Sequence, residues 1–141
     1  MALSFYTDPA LTSPTTSSDK YFDVDGSTGA RTFSIFYGDP VAGSVYIDAD
    51  DPYVNEFTIT PNDTQPAAEA GIEWVKLALT EAGLDSAVAG APLTITSGGT
   101  LTSGAAGAKQ IWIRMQPVGT PPWPEVDYDD IELVANDYFR A

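Results

Sequence analysis

Frequent chain breaks between short β-type runs are the feature that most limits the fold. Twelve glycines and eleven prolines are spread over 141 residues and separate runs rich in Val, Ile, Thr, Phe and Tyr. Because such runs suit half-buried strands and Gly and Pro favour turns, this pattern is typical of an all-β sandwich or barrel. We therefore expect one domain over residues 1–141, a two-sheet sandwich of roughly seven to nine strands.

Alternation of apolar and polar residues predicts the individual strands. The clearest patterns lie at Leu3–Tyr6, Arg31–Tyr37, Ser44–Ile47, Asn55–Thr60, Lys109–Gln116 and Tyr128–Ala135. Pro92–Thr96 and Thr100–Thr102 flank Ser97-Gly98-Gly99, which predicts a hairpin with a Gly-rich loop. The residues expected to fill the core are Ile35, Val45, Ile47, Phe57, Ile59, Leu77, Leu93, Ile95, Ile111, Ile113, Ile131 and Leu133.

Residues 66–82 fit two interpretations. A helix beginning near Pro66 would place Ile72, Val75 and Leu79 on one stripe. A strand over Glu73–Thr80 would instead place Trp74 on one face and Val75, Leu77 and Leu79 on the other. The strand is favoured because the neighbouring segments are all β-type, although periodicity alone does not decide between the two.

The chain has no His and no Cys, and this removes most catalytic chemistry. Without His, no side chain titrates near neutrality unless its pKa is perturbed, and without Cys there is no thiolate nucleophile or thiolate metal site. Ser-His-Asp and Cys-His arrangements are excluded, and no Gly-rich phosphate-binding loop is present. The sequence therefore predicts a protein that is not an enzyme and needs no cofactor.

The charge is strongly negative, with 20 acids against six bases and a formal net charge of −14. Such a field repels phosphate backbones and anionic lipid surfaces, so we expect neither nucleic acid nor membrane as a partner. No apolar run approaches the ~18 residues of a membrane span, and the N-terminal residues lack the pattern of a signal peptide.

Three acidic clusters raise the question of a calcium site. They are Asp23 with Asp25, then Asp48, Asp50 and Asp51, and finally Asp127, Asp129 and Asp130. Alternating carboxylates can converge on Ca²⁺, but Asp23 and Asp25 do not complete a twelve-residue calcium loop. The other two clusters could hold Ca²⁺ with backbone carbonyls if they met across a sheet end. Turn formation and the protection of sheet edges are the favoured interpretation, so no metal site is assigned.

The candidate partner interface combines a Pro-rich connector near 117–124 with a short C-terminal tail, 136–141. Pro121, Pro122 and Pro124 fix an extended backbone around Trp123. Trp123 then either plugs a pocket of a partner or folds back onto its own core. In the tail, Tyr138 and Phe139 are the aromatic residues expected at the interface.

Several stretches resemble small virion structural proteins of tailed bacteriophages. They are Ser4–Thr12, Glu73–Ala78, Gly83-Leu84, Gly90–Leu93, Ile111–Arg114, Asp130–Leu133 and Asp137–Ala141. The acidic stretch Gly38–Glu56 and the segment Pro121–Pro124 have no counterpart in that group. The resemblance implies an immunoglobulin-like two-sheet sandwich, or a closely related jelly-roll-type barrel, and it carries over no catalytic residues.

On this resemblance we expect a virion protein on the outer surface of the capsid, of the decoration or cement type. It would dock on the major capsid protein or another virion protein and stabilise the shell by bridging subunits. Symmetry and repetition on a lattice favour a homo-oligomer, a trimer or dimer. The alternative is a tail- or fibre-associated module that binds a receptor or carbohydrate through Tyr37, Tyr46, Tyr53 or Trp112 on one face. An acidic mimic of nucleic acid is a third possibility.

Overall fold

The computed structural model describes residues 3–15, 31–63, 72–116 and 131–141, and this part of the chain is all-β. It contains ten strands and three short 3₁₀ turns, and none of the described residues is α-helical. The strands are β1 Ser4–Tyr6, β2 Arg31–Gly38, β3 Val45–Asp48, β4 Phe57–Asp63, β5 Val75–Ala78, β6 Leu93–Ile95, β7 Thr100–Thr102, β8 Lys109–Met115, β9 Ile131–Ala135 and β10 Tyr138–Arg140.

Sheet I is antiparallel and four-stranded, with the order β1-β2-β8-β5. β2 and β8 form its centre, where Ile35 pairs with Ile111 and Phe33 pairs with Ile113. Because side chains alternate between the faces of a strand, Ile35, Ile111 and Ile113 face the core, while Ser34 and Trp112 lie on the outer face.

Sheets II and III are antiparallel and three-stranded, with the orders β10-β3-β7 and β6-β4-β9. The chain runs directly from β3 to β4, from β6 to β7 and from β9 to β10. In both sheets the segment 45–63 is therefore central, with 93–102 on one side and 131–140 on the other. Each of these three segments passes through both sheets and is broken between its two strands. We therefore describe sheets II and III as the two halves of one interrupted sheet.

One hydrophobic core joins the three sheets. Sheet I contributes residues such as Ile35, Val75, Ile111 and Ile113; sheet II contributes Tyr46 and Leu101; and sheet III contributes Phe57, Ile59 and Ile95. Each sheet is too small to bury an apolar face alone, so the shared core accounts for its stability. The expected core residues Ile35, Phe57, Ile59, Leu77, Ile95, Ile111 and Ile113 are confirmed, Leu93 and Leu133 pack half-buried against the core, and the side chain of Ile131 lies outside what the structure describes.

The predicted orientation of β3 is wrong. Tyr46 faces the core and is 2% exposed, whereas Val45 is 36% exposed. Ile47 is buried as predicted, at 3% exposure, although it shares a strand face with Val45 and is absent from the cluster that joins the three sheets. A shift of one residue exchanges the two faces of a strand, and the short apolar run Val45-Tyr46-Ile47 gives no alternation that would fix the register.

The predicted hairpin around Ser97-Gly98-Gly99 is also wrong. β6 pairs with β4 and β7 pairs with β3, so the two segments do not pair with each other. Gly98 and Gly99 both have positive φ, at 73° and 79°, and they carry the chain from sheet III to sheet II. The sequence indicates a bend correctly, but the partners of the flanking strands are long-range.

The ambiguous segment 66–82 lies partly outside the described residues, and its described part is extended. β5 is shorter than the predicted strand, because Ile72–Trp74 form a 3₁₀ turn and Leu79 follows the strand with 41% exposure. Trp74 is nevertheless buried in the core.

The described strands form three sheets instead of the expected two, and they form no closed barrel. The segment 136–141, expected to be a tail, includes β10, which pairs with β3. The predicted connector at 117–124 lies outside the described residues.

Candidate functional site

The C-terminal segment forms one long edge of the interrupted sheet. β9 lies outside β4, and β10 lies outside β3 on the same side. Among the described strands this segment is the outermost one in each half, and an outermost strand is where a partner can pair or pack. We call residues 131–141 the C-terminal edge.

Exposed apolar side chains cluster on the outer face of this edge. Phe139 pairs with Ile47 and is 45% exposed, and Val134 pairs with Thr60 and is 44% exposed. Val45, which precedes Ile47 by two residues on the same strand face, is also exposed. We call these three exposed side chains the apolar strip of the edge, although Ile47, on the same face of β3 as Val45, is itself buried. Exposed apolar side chains that lie near one another mark interaction sites.

Tyr138 faces the other way and anchors the edge to the core. Its ring meets Tyr46 edge-on, with centroids 5.2 Å apart. Its hydroxyl donates a hydrogen bond of 3.2 Å to the carbonyl oxygen of Leu3. Of the two tail residues expected at an interface, Phe139 is therefore presented outward, while Tyr138 positions the strand that carries it.

Asn136 joins the two halves of the edge strand. Its Oδ1 accepts hydrogen bonds from the Thr58 backbone N–H at 2.8 Å and from the Thr58 hydroxyl at 3.0 Å. Its Nδ2 donates to the carboxylate of Asp48 and to the Glu56 carbonyl. Where the sheet is interrupted, backbone groups lose their partners on the neighbouring strand. The Asn136 side chain supplies partners instead, because buried backbone groups need hydrogen bonds.

The Glu56 carboxylate supplies hydrogen-bond partners on the other side of the interrupted sheet, in segment 93–102. Its carboxylate accepts backbone N–H bonds from Ser97 at 2.9 Å, Gly98 at 3.0 Å and Gly99 at 3.2 Å. Successive amides around positive-φ residues form a concave anion site. These bonds, with the backbone bond of Ser97 the largest contribution, lower the pKa of Glu56.

Asp48 closes the network at the end of β3. Its Oδ1 accepts from the backbone N–H groups of Asp50 and Asp51 and from Asn55 Nδ2. Together with the bond from Asn136, which contributes most, these lower the pKa of Asp48 to about 2. The carboxylate oxygens are thus engaged by N–H donors, which is the turn role expected for this acidic cluster.

A buried Asp–Tyr pair stabilises the inner side of sheet II. Asp39 is 1% exposed and accepts hydrogen bonds from the Tyr46 hydroxyl and the Val41 backbone N–H. The bond to Asp39, together with burial, raises the pKa of Tyr46, against an opposing effect of Arg140. Since Arg140 pairs with Tyr46 in the register, the last residues of the chain are tied into the same cluster.

The other predicted interface residues, Pro121, Pro122, Trp123 and Pro124, lie outside the described residues. The aromatics proposed for a carbohydrate module do not share a face, because Tyr37 and Tyr46 are only 2% exposed. Tyr53 is 60% exposed in the loop between β3 and β4, and Trp112 lies on the outer face of sheet I.

Sequence reasoning missed Val134, Val45 and Asn136 as parts of this region. A sequence signal for Val134 did exist: it lies two residues after Glu132, so the two side chains share a strand face, and an acid is expected on the outward face. Nothing local identified Asn136, because its partners lie about 80 residues away in the sequence.

Within the described ranges, no three Asp or Glu side chains converge into a group that could hold a metal ion. None of the helical turns described has the length and hydropathy of a membrane span. The chain matches no family model, and no curated protein or solved structure is significantly similar to it.

Proposed function

We propose that this chain is a non-enzymatic virion structural protein of the capsid decoration or cement type. The observation that carries the proposal is the C-terminal edge: Phe139, Val134 and Val45 expose apolar surface, while Asn136 and Tyr138 hydrogen-bond this segment to the rest of the molecule. A rigid strand edge with an apolar strip loses little conformational entropy when a partner covers it.

The proposed architecture is an immunoglobulin-like sandwich. Sheet I forms one layer, and the two halves of the interrupted sheet form the other, with the common core between them. The strand order within the second layer supports this description, because the same three segments run side by side through both halves.

The proposed partner is the major capsid protein or another virion protein on the outer surface of the shell. Exposed apolar side chains on a chain of net charge −14 suit a partner that offers a complementary apolar site and basic residues. Copies arranged as a homo-oligomer on a symmetric shell would bind more strongly than one copy. The net charge of −14 makes nucleic acid and anionic membranes poor partners.

The test is co-sedimentation with decoration-free expanded shells and with mature virions. We expect stoichiometric binding to the shells and increased shell stability. Phe139→Ser should raise the concentration needed for half-saturation by about tenfold, as loss of an interface anchor does.

Val88→Ser provides the matched control, because Val88 is 71% exposed in a different part of the molecule, between β5 and β6. It should leave shell binding unchanged. Absence of shell binding, with the protein recovered only in tail fractions, would contradict the proposal and favour the tail- or fibre-associated module.

A further inference from the structure

The four strands of sheet I contain bases but no acids. Arg31 on β2, Lys76 on β5, and Lys109 and Arg114 on β8 are four of the six bases in the chain. No Asp or Glu occurs in β1, β2, β5 or β8. By strand alternation only Lys76 and Arg114 lie on the outer face, because Arg31 pairs with buried Met115 and Lys109 with buried Tyr37 on the core-facing side.

Two of these bases lie directly opposite each other on the outer face. Lys76 pairs with Arg114 in the register of β5 and β8, and like charges in that relation are destabilising. Arg114 is compensated by Asp85 at 2.9 Å and by Thr32 at 3.2 Å. Among the described residues Lys76 has no such counter-charge, so an anion placed between the two cations would relieve the repulsion.

An aromatic and polar strip adjoins this pair. Trp112 is next to Arg114 along the same face of β8, and it pairs with Ser34 on β2. Phe36 pairs with Gln110, and both Phe36 and Trp112 are half-buried. Gln110 donates a hydrogen bond of 3.0 Å to Ser34 Oγ, so the polar groups beside the rings are fixed in position.

The 3₁₀ turn Ala82–Asp85 forms a rim on one side of the strip. It packs against β5 and β8, and Leu84 is fully buried although it lies outside the core cluster. Asp85 reaches Arg114 from this turn. The outer face of β2 and β8 is therefore bordered by this turn on the β5 side.

We propose that this outer face of sheet I binds an acidic carbohydrate, a glycan that contains uronic or sialic acid. The apolar face of a sugar ring would stack on Trp112, whose indole N–H is free to donate because no described residue accepts it. Gln110 and Ser34 would contact hydroxyl groups, and Lys76 with Arg114 would bind the carboxylate.

The charge distribution favours a glycan over other anions. A nucleic acid carries one phosphate charge per ~1.7 Å of duplex, and the acidic remainder of the chain would repel it. A glycan needs only one carboxylate at the cation pair, while the rest of its contacts are with neutral hydroxyl and C–H groups. This site is separate from the C-terminal edge and is independent of whether the protein decorates a head or a tail.

The experiment follows the Trp112 indole N–H resonance in ¹⁵N-labelled full-length protein, assigned with Trp112→Phe. The probes are trigalacturonate and sialyllactose, with maltotriose as the neutral sugar and triglutamate as the acidic non-sugar. We expect both acidic sugars to shift this resonance and Lys76→Gln to weaken their binding by about tenfold, the effect of losing one charge-assisted hydrogen bond.

Lys109→Gln is the control, since it removes a positive charge from the same strand but on the opposite face, where Lys109 pairs with buried Tyr37. It should leave the binding unchanged. Equal binding of triglutamate, equal binding of maltotriose, or no shift with any probe would overturn the proposal. So would low-salt self-association that Lys76→Gln abolishes, because it would identify the acidic surface of a second copy as the occupant.

Discussion

Gly98 and Gly99 are neighbours with similar backbone angles but different surroundings. Both have positive φ, which costs a non-glycine residue about 1–2 kcal/mol. A Cβ on Gly98 would meet nothing within 4 Å, whereas a Cβ on Gly99 would lie 2.8 Å from the carbonyl carbon of Tyr53. Because that neighbour is backbone, it cannot rotate away.

We therefore expect Gly99→Ala to destabilise the protein more than Gly98→Ala does. The change at Gly98 should cost about 1 kcal/mol from the backbone conformation alone. The change at Gly99 should cost about 2–4 kcal/mol, because the close approach of two loops is lost as well. Urea unfolding of both variants measures the difference, and equal losses would contradict it.

At the scale of elements, the interruption of sheets II and III is the feature that positions the C-terminal edge. The loop between β3 and β4 leaves the sheet, so amides on both neighbouring segments lose their ladder partners. Asn136, Glu56 and Asp48 supply side-chain partners instead. The break is thus a polar joint between two halves that share one core.

Because two carboxylates form this joint, we expect the free energy of unfolding to fall at acid pH. Asp48 and Glu56 have lowered pKa values when folded, so each ionised carboxylate stabilises the folded chain above its unfolded-state pKa of about 4. That stabilisation is lost as the pH falls from there towards about 2, the folded-state pKa of Asp48. The urea midpoint of the wild type should decline through this interval.

Glu56→Gln isolates the contribution of one carboxylate from the general relief of negative charge on acidification. Since the amide of Gln offers one acceptor oxygen instead of two, the variant should be less stable at pH 7. The difference in free energy of unfolding between Glu56→Gln and the wild type should shrink as the pH is lowered from 7 to 3. A difference that stays constant from pH 7 to pH 3 would show that the Glu56 carboxylate has no special role.

At the scale of the whole molecule, the shared core predicts that the three sheets unfold together. Phe57 on β4 is fully buried in the same cluster as Ile113 on β8. Phe57→Ala should lower the free energy of unfolding by about 3–5 kcal/mol, the usual cost of a large core truncation. Phe139→Ala, at 45% exposure, should cost less than about 1 kcal/mol.

Hydrogen exchange distinguishes one cooperative unit from three. In Phe57→Ala, protection of the β8 amides in sheet I should fall by the same free energy as protection of the β4 amides in sheet III. Loss confined to β4 and its neighbours would show that the sheets are independent.

Local sequence patterns were sufficient to locate most strands. β2, β4 and β8 alternate clearly, and their inward residues Ile35, Phe57, Ile59, Ile111 and Ile113 occupy the core as expected. The pattern was insufficient at β3, where three consecutive apolar residues fit either face, and at β10, whose three residues are too few to show a period. For the candidate site, the sequence singled out Tyr138 and Phe139, but it did not distinguish the anchor from the exposed residue.

The sequence by itself determined an acidic, all-β chain without His or Cys, because composition and alternation are local properties of the chain. Only the tertiary structure decided which strands pair, why the 97–99 loop crosses between sheets, and that Lys76 lies opposite Arg114 on sheet I. These properties depend on contacts between residues far apart in sequence, such as Asn136 with Thr58 and Lys76 with Arg114. Such contacts leave no local trace, since each partner alone is an ordinary polar residue on a strand or turn.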